Sequence, residues 1–264
     1  MSPLLSGASR IHFIVGDPIA QVKSPAGVTQ AFTDQGLDAV CVPAHVSPGH
    51  LVNWHRGVSL QQNVDGIIVT VPHKLAYAGL CDTLSERARF LGGVNTLRRN
   101  PDGGWHGDMF DGLGFVEAMR RKGGEPGGRR VLLVGAGGAG SAIAYELVMS
   151  GVTELAIHDP DDERRRGLIA RLSSLGRGRV VDGSPDPSGF DIAINATPVG
   201  MKPGDPHPID SSRFSASQFV GCVITLPAVP PMIEAARAVG CPTMVGTDMF
   251  AQVRDLMVDF LMGK

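Results

Sequence analysis

The sequence is short of cysteine, of net charge and of long apolar runs, and each shortage removes a class of function. Only four of its 264 residues are cysteine, Cys41, Cys81, Cys222 and Cys241. None pairs with another at the short spacing of a zinc or redox motif, so reduced thiols and no metal site are expected. Lys and Arg number 24 against 26 Asp and Glu, a formal net charge of −2. No basic field therefore recommends nucleic acid or an anionic membrane as partner. Residues 1–10 lack a basic start followed by an apolar run, so no signal peptide is read there. No charge-free stretch is long enough to cross a bilayer, and there is no internal repeat or low-complexity tract. The expectation is a soluble, cytoplasmic protein, monomer or homodimer, whose partner is a small molecule.

What is present is glycine, 35 residues of it, with 43% hydrophobic and 19% charged residues. That is too much glycine for a helical bundle, and it suits a fold with many tight strand-to-helix turns. The length allows two modest domains, each with a core. Residues 11–15, 39–43 and 67–71 read as buried strands, and 25–35, 50–59 and 84–91 as helices between them. Alternation of this kind implies parallel strands covered by helices. Residues 94–98, the turn 100–104 and Trp105 look like an added hairpin. Asp111 and Gly112 then open a helix to about Lys122, and 123–128 is a candidate domain boundary. The second half repeats the pattern. Strands are read at 131–134, 154–158, 190–195, 220–225 and 243–245, and helices from Ala139, from Asp161 and over 231–239 and 248–261. The last helix carries apolar residues at spacings of three and four, so one face must be covered. The Pro- and Gly-rich loop 201–208 is expected to be mobile.

The run Gly135-Ala136-Gly137-Gly138-Ala139-Gly140 fits GxGxxG and stands where a dinucleotide fold needs it, after a strand and opening a helix. Gly135 permits the tight turn, Gly137 lets backbone approach a pyrophosphate, and Gly140 lets helix and strand pack closely. The helix start offers free N–H groups and a positive dipole end to the phosphates. Asp159 ends the next strand, about twenty residues on, where a carboxylate accepts the ribose hydroxyls and repels a 2'-phosphate. NAD is therefore expected in preference to NADP. Arg164, Arg165 and Arg166 are read as a solvated helix face.

With these residues goes a wider pattern: Gly16-Asp-Pro-Ile with Lys23-Ser24-Pro25, Val69-Thr-Val-Pro-His-Lys74, Gly93-Val-Asn95-Thr, Asp111-Gly112, Asn195-Ala-Thr-Pro-Val-Gly-Met201 and Ala251-Gln252. In this order the chain resembles the shikimate/quinate dehydrogenase family over nearly its whole length. The resemblance implies an N-terminal α/β substrate domain (1–111 plus 246–264) and a Rossmann-type doubly wound domain (112–245), the last helix returning to the first domain. It also implies hydride transfer between a nicotinamide cofactor and a cyclic hydroxy acid. Lys74 would be the acid/base and Asp111 its partner, because the hydroxyl must lose its proton as hydride departs. Asn95, Gln252, Thr70 and Ser24 are implied as substrate ligands, and Asn195, Ala196, Thr197, Pro198, Gly200 and Met201 as the lining of the nicotinamide side.

The pattern is broken at one end. The family holds the substrate carboxylate with two serines and a tyrosine. Here the first serine is Val22, only Ser24 remains, and Thr225 stands for the tyrosine. The asparagine two residues before Thr70 is Ile68. Donors are lost at the carboxylate end while Lys74 and Asp111 stay, so shikimate is expected to be a poor substrate. The competing reading is a non-catalytic sensor of NAD and a metabolite on the same scaffold. Ser24 before Pro25 has a plainer reading as a helix N-cap, and Asn195 as a strand-end turn residue.

Overall fold

Short apolar strands followed by glycine turns generate two sheets. The computed structural model describes residues 5–264, so of the stretch read for a signal peptide, residues 1–4 lie outside the described residues. The chain forms two compact units, one made of the residues up to Phe110 with Arg254–Lys264, the other of Asp111–Val253. No helix among the described residues is long and apolar enough to cross a membrane.

In the first unit β1 (Arg10–Gly16), α1 (Ser24–Asp34), β2 (Ala39–His45), α2 (Leu51–Ser59) and β3 (Val64–Val69) alternate. β1 pairs in parallel with β2 and β3. α3 (Lys74–Ala78), β4 (Thr83–Leu84), α4 (Glu86–Leu91), β5 (Thr96–Arg99) and β6 (Trp105–Asp108) follow. β5 and β6 form the antiparallel hairpin read from the sequence, and the sheet order is β2-β1-β3-β5-β6-β4. Alternate residues point to opposite faces. Val15, Ile67, Val69 and Leu97 thus share a core with Tyr77 and Trp105, while His12 meets Phe32 of α1 with ring centroids 4.6 Å apart. The helix read at 84–91 begins at Glu86, because Ser85 caps it by accepting from the Ala88 N–H and Leu84 belongs to a strand.

The second unit contains α5 (Asp111–Arg121), β7 (Arg130–Val134), α6 (Gly138–Met149), β8 (Glu154–His158), α7 (Asp162–Ser173), β9 (Arg179–Asp182) and β10 (Ile192–Asn195). It continues with β11 (Phe219–Cys222), α8 (Pro231–Val239), β12 (Thr243–Met244) and α9 (Gly246–Leu261). Its six strands are all parallel in the order β12-β11-β10-β7-β8-β9. This is two β-α-β halves meeting at β7 and β10, the point where strand order reverses and where ligands bind in such sheets. Residues 123–128 are not a boundary, since they lie inside this unit as the turn from α5 to β7. The strand read at 220–225 stops at Cys222, leaving Thr225 in a loop. The last turns of α9 belong to the first unit, where the Phe260 ring packs against Phe110 at 5.1 Å and His106 at 5.7 Å and lies under the Arg98 guanidinium.

Candidate functional site

The glycine turn is built by backbone contacts that no side chain could share. Gly135 has φ +109°, and a Cβ there would lie 2.8 Å from the carbonyl carbon of Ala196. A Cβ on Gly140 would lie 1.9 Å from the Gly135 carbonyl oxygen, so α6 rests directly on the turn. Gly137 has nothing within 4 Å and forms the N-cap of α6 without a side-chain cap. The first N–H groups of α6 therefore face open space, which suits a phosphate.

Asp159 is 4% exposed and locked to this turn. Its Oδ2 accepts from the Ala136 N–H at 2.7 Å and its Oδ1 from the Asp161 N–H at 2.9 Å. Burial alone would raise its pKa. The two N–H donors, with Arg164 and His158 nearby, outweigh burial and hold the carboxyl below its ordinary value. Arg164 lies 3.6 Å from Asp159 and 3.0 Å from Asp161. Arg165 departs from the solvated face read for the arginines. Its side chain is 12% exposed, donates to the Asp159 carbonyl at 2.7 Å and pairs with Asp162 and Asp182. A cavity of about 400 Å³ opens over this end of β7, with Gly135, Gly137, Asp159, Arg164 and Thr197 among its walls.

The segment after β10 is organised by Asn195, which is 1% exposed. Its Oδ1 accepts from the Thr197 N–H and hydroxyl at 2.9 and 2.7 Å, and its Nδ2 donates to the Val199 carbonyl and the Cys222 sulfur. Asn195 thus shapes the turn, and Ala196, Thr197 and Pro198 line the cavity. Gly200 takes φ +104°, and Met201 is 48% exposed and not among the cavity walls. The 201–208 loop expected to be mobile is pinned by Asp205, whose Oδ2 accepts from the N–H groups of Gly200 and Lys202.

The first unit gathers Thr70, Lys74 and Asn95 at the carboxyl end of β3. Thr70 follows the strand, donating its N–H to Val15, and its methyl fills the space a Cβ on Gly16 would take, 2.4 Å away. Lys74 is the first residue of α3, and its carbonyl accepts from the Val94 N–H at 2.9 Å. The next residue, Asn95, is 2% exposed, and its Oδ1 accepts from the Phe110 N–H at 3.0 Å and the Thr96 hydroxyl at 3.1 Å. One short segment therefore braces both Lys74 and the residue before Asp111. Ser24 opens α1 but is not its N-cap. That position is Lys23, which makes no side-chain cap. The Ser24 hydroxyl, on a residue 6% exposed, makes no protein hydrogen bond among the described residues.

In the second unit Asp111 opens α5, and Gly112 lets that helix approach α6, since a Cβ there would meet the Ala142 carbonyl at 2.0 Å. Gly114 meets Val253 of α9 in the same way, beside Gln252. α9 starts against the β11 exit, where the Gly246 N–H donates to Ile224 next to Thr225.

Residues 14–97 match the sequence model of the shikimate dehydrogenase substrate binding domain. A shikimate dehydrogenase (NADP(+)) of Rubrobacter xylanophilus is 36% identical over 250 residues, 92% of this chain and 87% of that protein. The chain belongs to the shikimate/quinate dehydrogenase family. This family member is an oxidoreductase that uses a pyridine nucleotide. A quinate/shikimate dehydrogenase (NAD(+)) of Corynebacterium efficiens is 32% identical over 89% of this chain and 87% of that protein. Among solved structures, the ligand-free 5-ketofructose reductase of Gluconobacter sp. strain CHM43 superposes with a TM-score of 0.91 at 28% identity, covering 98% of this chain and 95% of that one. The glycine turn, the open start of α6 and the buried carboxylate at the end of β8 fit such a cofactor. The sequence reading missed the cavity walls His158, Pro160, Arg164 and Pro206–Pro208. The signal for them was positional, the exits of β8 and β10 on either side of the turn.

Proposed function

We propose that this dehydrogenase prefers NAD and oxidises or reduces a cyclic hydroxy compound that carries no carboxylate where shikimate has one. The observation that carries the cofactor choice is Asp159. Its charge is buried and tied at both oxygens, where a 2'-phosphate would need to sit. Arg164 is the competing group on the same cavity, but its side chain is 52% exposed and already shared between Asp159 and Asp161. A buried, fixed negative charge outweighs a solvated cation with two acidic neighbours. Comparing kcat/KM for NAD and NADP tests this, and a clear NADP preference overturns it.

The bound nicotinamide accepts or supplies the hydride. The protein's work is on the proton. Lys74 takes the hydroxyl proton as the carbon is oxidised and returns it in reduction. Asp111 is its charge partner and a ligand of the substrate hydroxyls. Asn95 is a further ligand of the substrate hydroxyls, held in place by the bonds that its Oδ1 accepts from Phe110 and Thr96. Gln252 and Thr70 serve the remaining hydroxyls. Replacing Lys74 by Ala lowers kcat by about 10²–10⁴ with NAD affinity nearly unchanged. If the intact protein turns over no hydroxy compound, the sensor reading replaces this one.

At the far end Ser24 keeps its hydroxyl, while Val22, Ile68 and Thr225 supply less than two serines, an amide and a phenol would. An imperfectly paired buried carboxylate costs several kcal/mol, about 2–7 for a neutral polar group and more for a charged one. 5-Ketofructose, the compound named for the Gluconobacter relative, has no carboxyl group, in keeping with this loss. A panel of shikimate, quinate, neutral cyclic alcohols and keto-sugars decides it. Shikimate turnover with a low-micromolar KM shows the substitutions to be without consequence.

A further inference from the structure

We propose that His207 recognises the adenine base of the dinucleotide, so that the loop after β10 supplies one wall of the base site. The inference rests on the dinucleotide reading of the Gly135 turn and adds a contact that the sequence motif does not contain. The strand order places β7 between β8 and β10, so the segments leaving β8 and β10 flank the turn. One side of the cavity is His158, Asp159, Pro160 and Arg164; the other is the 196–199 segment with Pro206, His207 and Pro208. The pyrophosphate belongs at the open start of α6 and the adenosine ribose at Asp159. From Asp159 the space between these two walls is open to the base.

His207 is built to meet it. The ring is flanked by two prolines, whose fixed φ stiffens the backbone on both sides. Its Nδ1 is within hydrogen-bond distance of the Ser211 hydroxyl, which orients the imidazole. The stretch is anchored ahead by Asp205, bonded to the Gly200 and Lys202 N–H groups, and behind by Asp210, which accepts from the Ser212 N–H and hydroxyl. Nε2 and the ring faces are left for a ligand, since Nε2 makes no protein hydrogen bond among the described residues. A flat, weakly polar ring with one outward nitrogen matches a purine, which offers a π-face and ring-edge acceptors. His207 is exposed, and this anchoring holds it at the cavity wall.

The test is NADH titration of the intact chain by its own fluorescence, with competition by AMP and by nicotinamide mononucleotide. His207→Ala weakens NADH and AMP about tenfold, as loss of one base-stacking contact does, and leaves nicotinamide mononucleotide unchanged. His207→Phe keeps the flat face and recovers most of the loss. Thermal melts of both variants matching the intact protein locate the effect in the site. Unchanged AMP affinity in His207→Ala, or equal losses for AMP and nicotinamide mononucleotide, overturns the proposal and leaves the dinucleotide site standing. An intact protein that binds neither NADH, NADPH nor AMP overturns the dinucleotide reading and this inference with it.

Discussion

His12 is the histidine whose chemistry departs furthest from its type. It is 2% exposed on β1, and both ring nitrogens lack a hydrogen-bond partner among the described residues. Burial lowers its pKa from 6.5 to about 4, with Asp65 acting to raise it and Arg10 to lower it. The ring is therefore neutral in the fold. Below pH 6.5 the unfolded chain takes a proton that the folded chain refuses until the pH nears 4. Stability falls with acidification across that window and levels off beneath it. The size is about 3 kcal/mol, because each tenfold loss of proton affinity on folding corresponds to about 1.4 kcal/mol. His12→Leu removes that contribution, so urea unfolding of the variant is flatter than the parent between pH 6.5 and 4 by about that amount. Parallel slopes for the two proteins show that the ring is already charged or hydrated in the fold. Single residues were also the scale at which sequence reading had least to work with. Arg165 and Asn195 have the letters of a solvated cation and a ligand, yet one is drawn onto the Asp159 carbonyl and the other bonds the turn beside it. Only the folded neighbours decide which donors are consumed locally.

Elements were legible where they were long, periodic or bounded by glycine. β7 with its glycine turn, β8 and α8 stand within a residue or two of where the pattern put them. The misses share a cause. β9 is an edge strand with exposed ends and half-buried valines, so it shows neither alternation nor an apolar run. α3 is five residues long and β4 two, too short to display a period. The β7–α6 turn offers a paired test of what its glycines do. Gly140→Ala drives a Cβ into the Gly135 carbonyl and costs about 1–3 kcal/mol or more, read as a lower Tm. Gly137→Ala meets no protein atom and keeps the parent Tm, but its methyl occupies the phosphate approach and weakens NADH binding at least tenfold. Equal NADH affinity in Gly137→Ala places the pyrophosphate elsewhere.

At the scale of the whole molecule the two-unit architecture and the switch point were readable from the order of motifs. The first change of unit falls where α5 begins, between Phe110 and Asp111, whereas the second lies inside α9, between Val253 and Arg254, because one continuous helical pattern runs through it. Phe260 shows what the end of α9 does for the first unit. Phe260→Ala removes a ring packed on Phe110 and His106 and costs about 3–5 kcal/mol, measured by thermal unfolding, while AMP binding is unaltered. An undiminished Tm shows that these last turns are dispensable. Ligand linkage gives the complementary measurement, with NADH at a hundred times its Kd adding about 2.7 kcal/mol to stability. Asp159 ties these concerns to protein engineering. A designer altering the choice between NAD and NADP would reach first for this carboxylate, yet it is also the strut that fastens the end of β8 to the peptide of Ala136. Neutralising it trades cofactor choice against the rigidity of the phosphate turn. Changing Asp161 instead leaves that strut intact and relieves Arg164 of one of its two acidic neighbours.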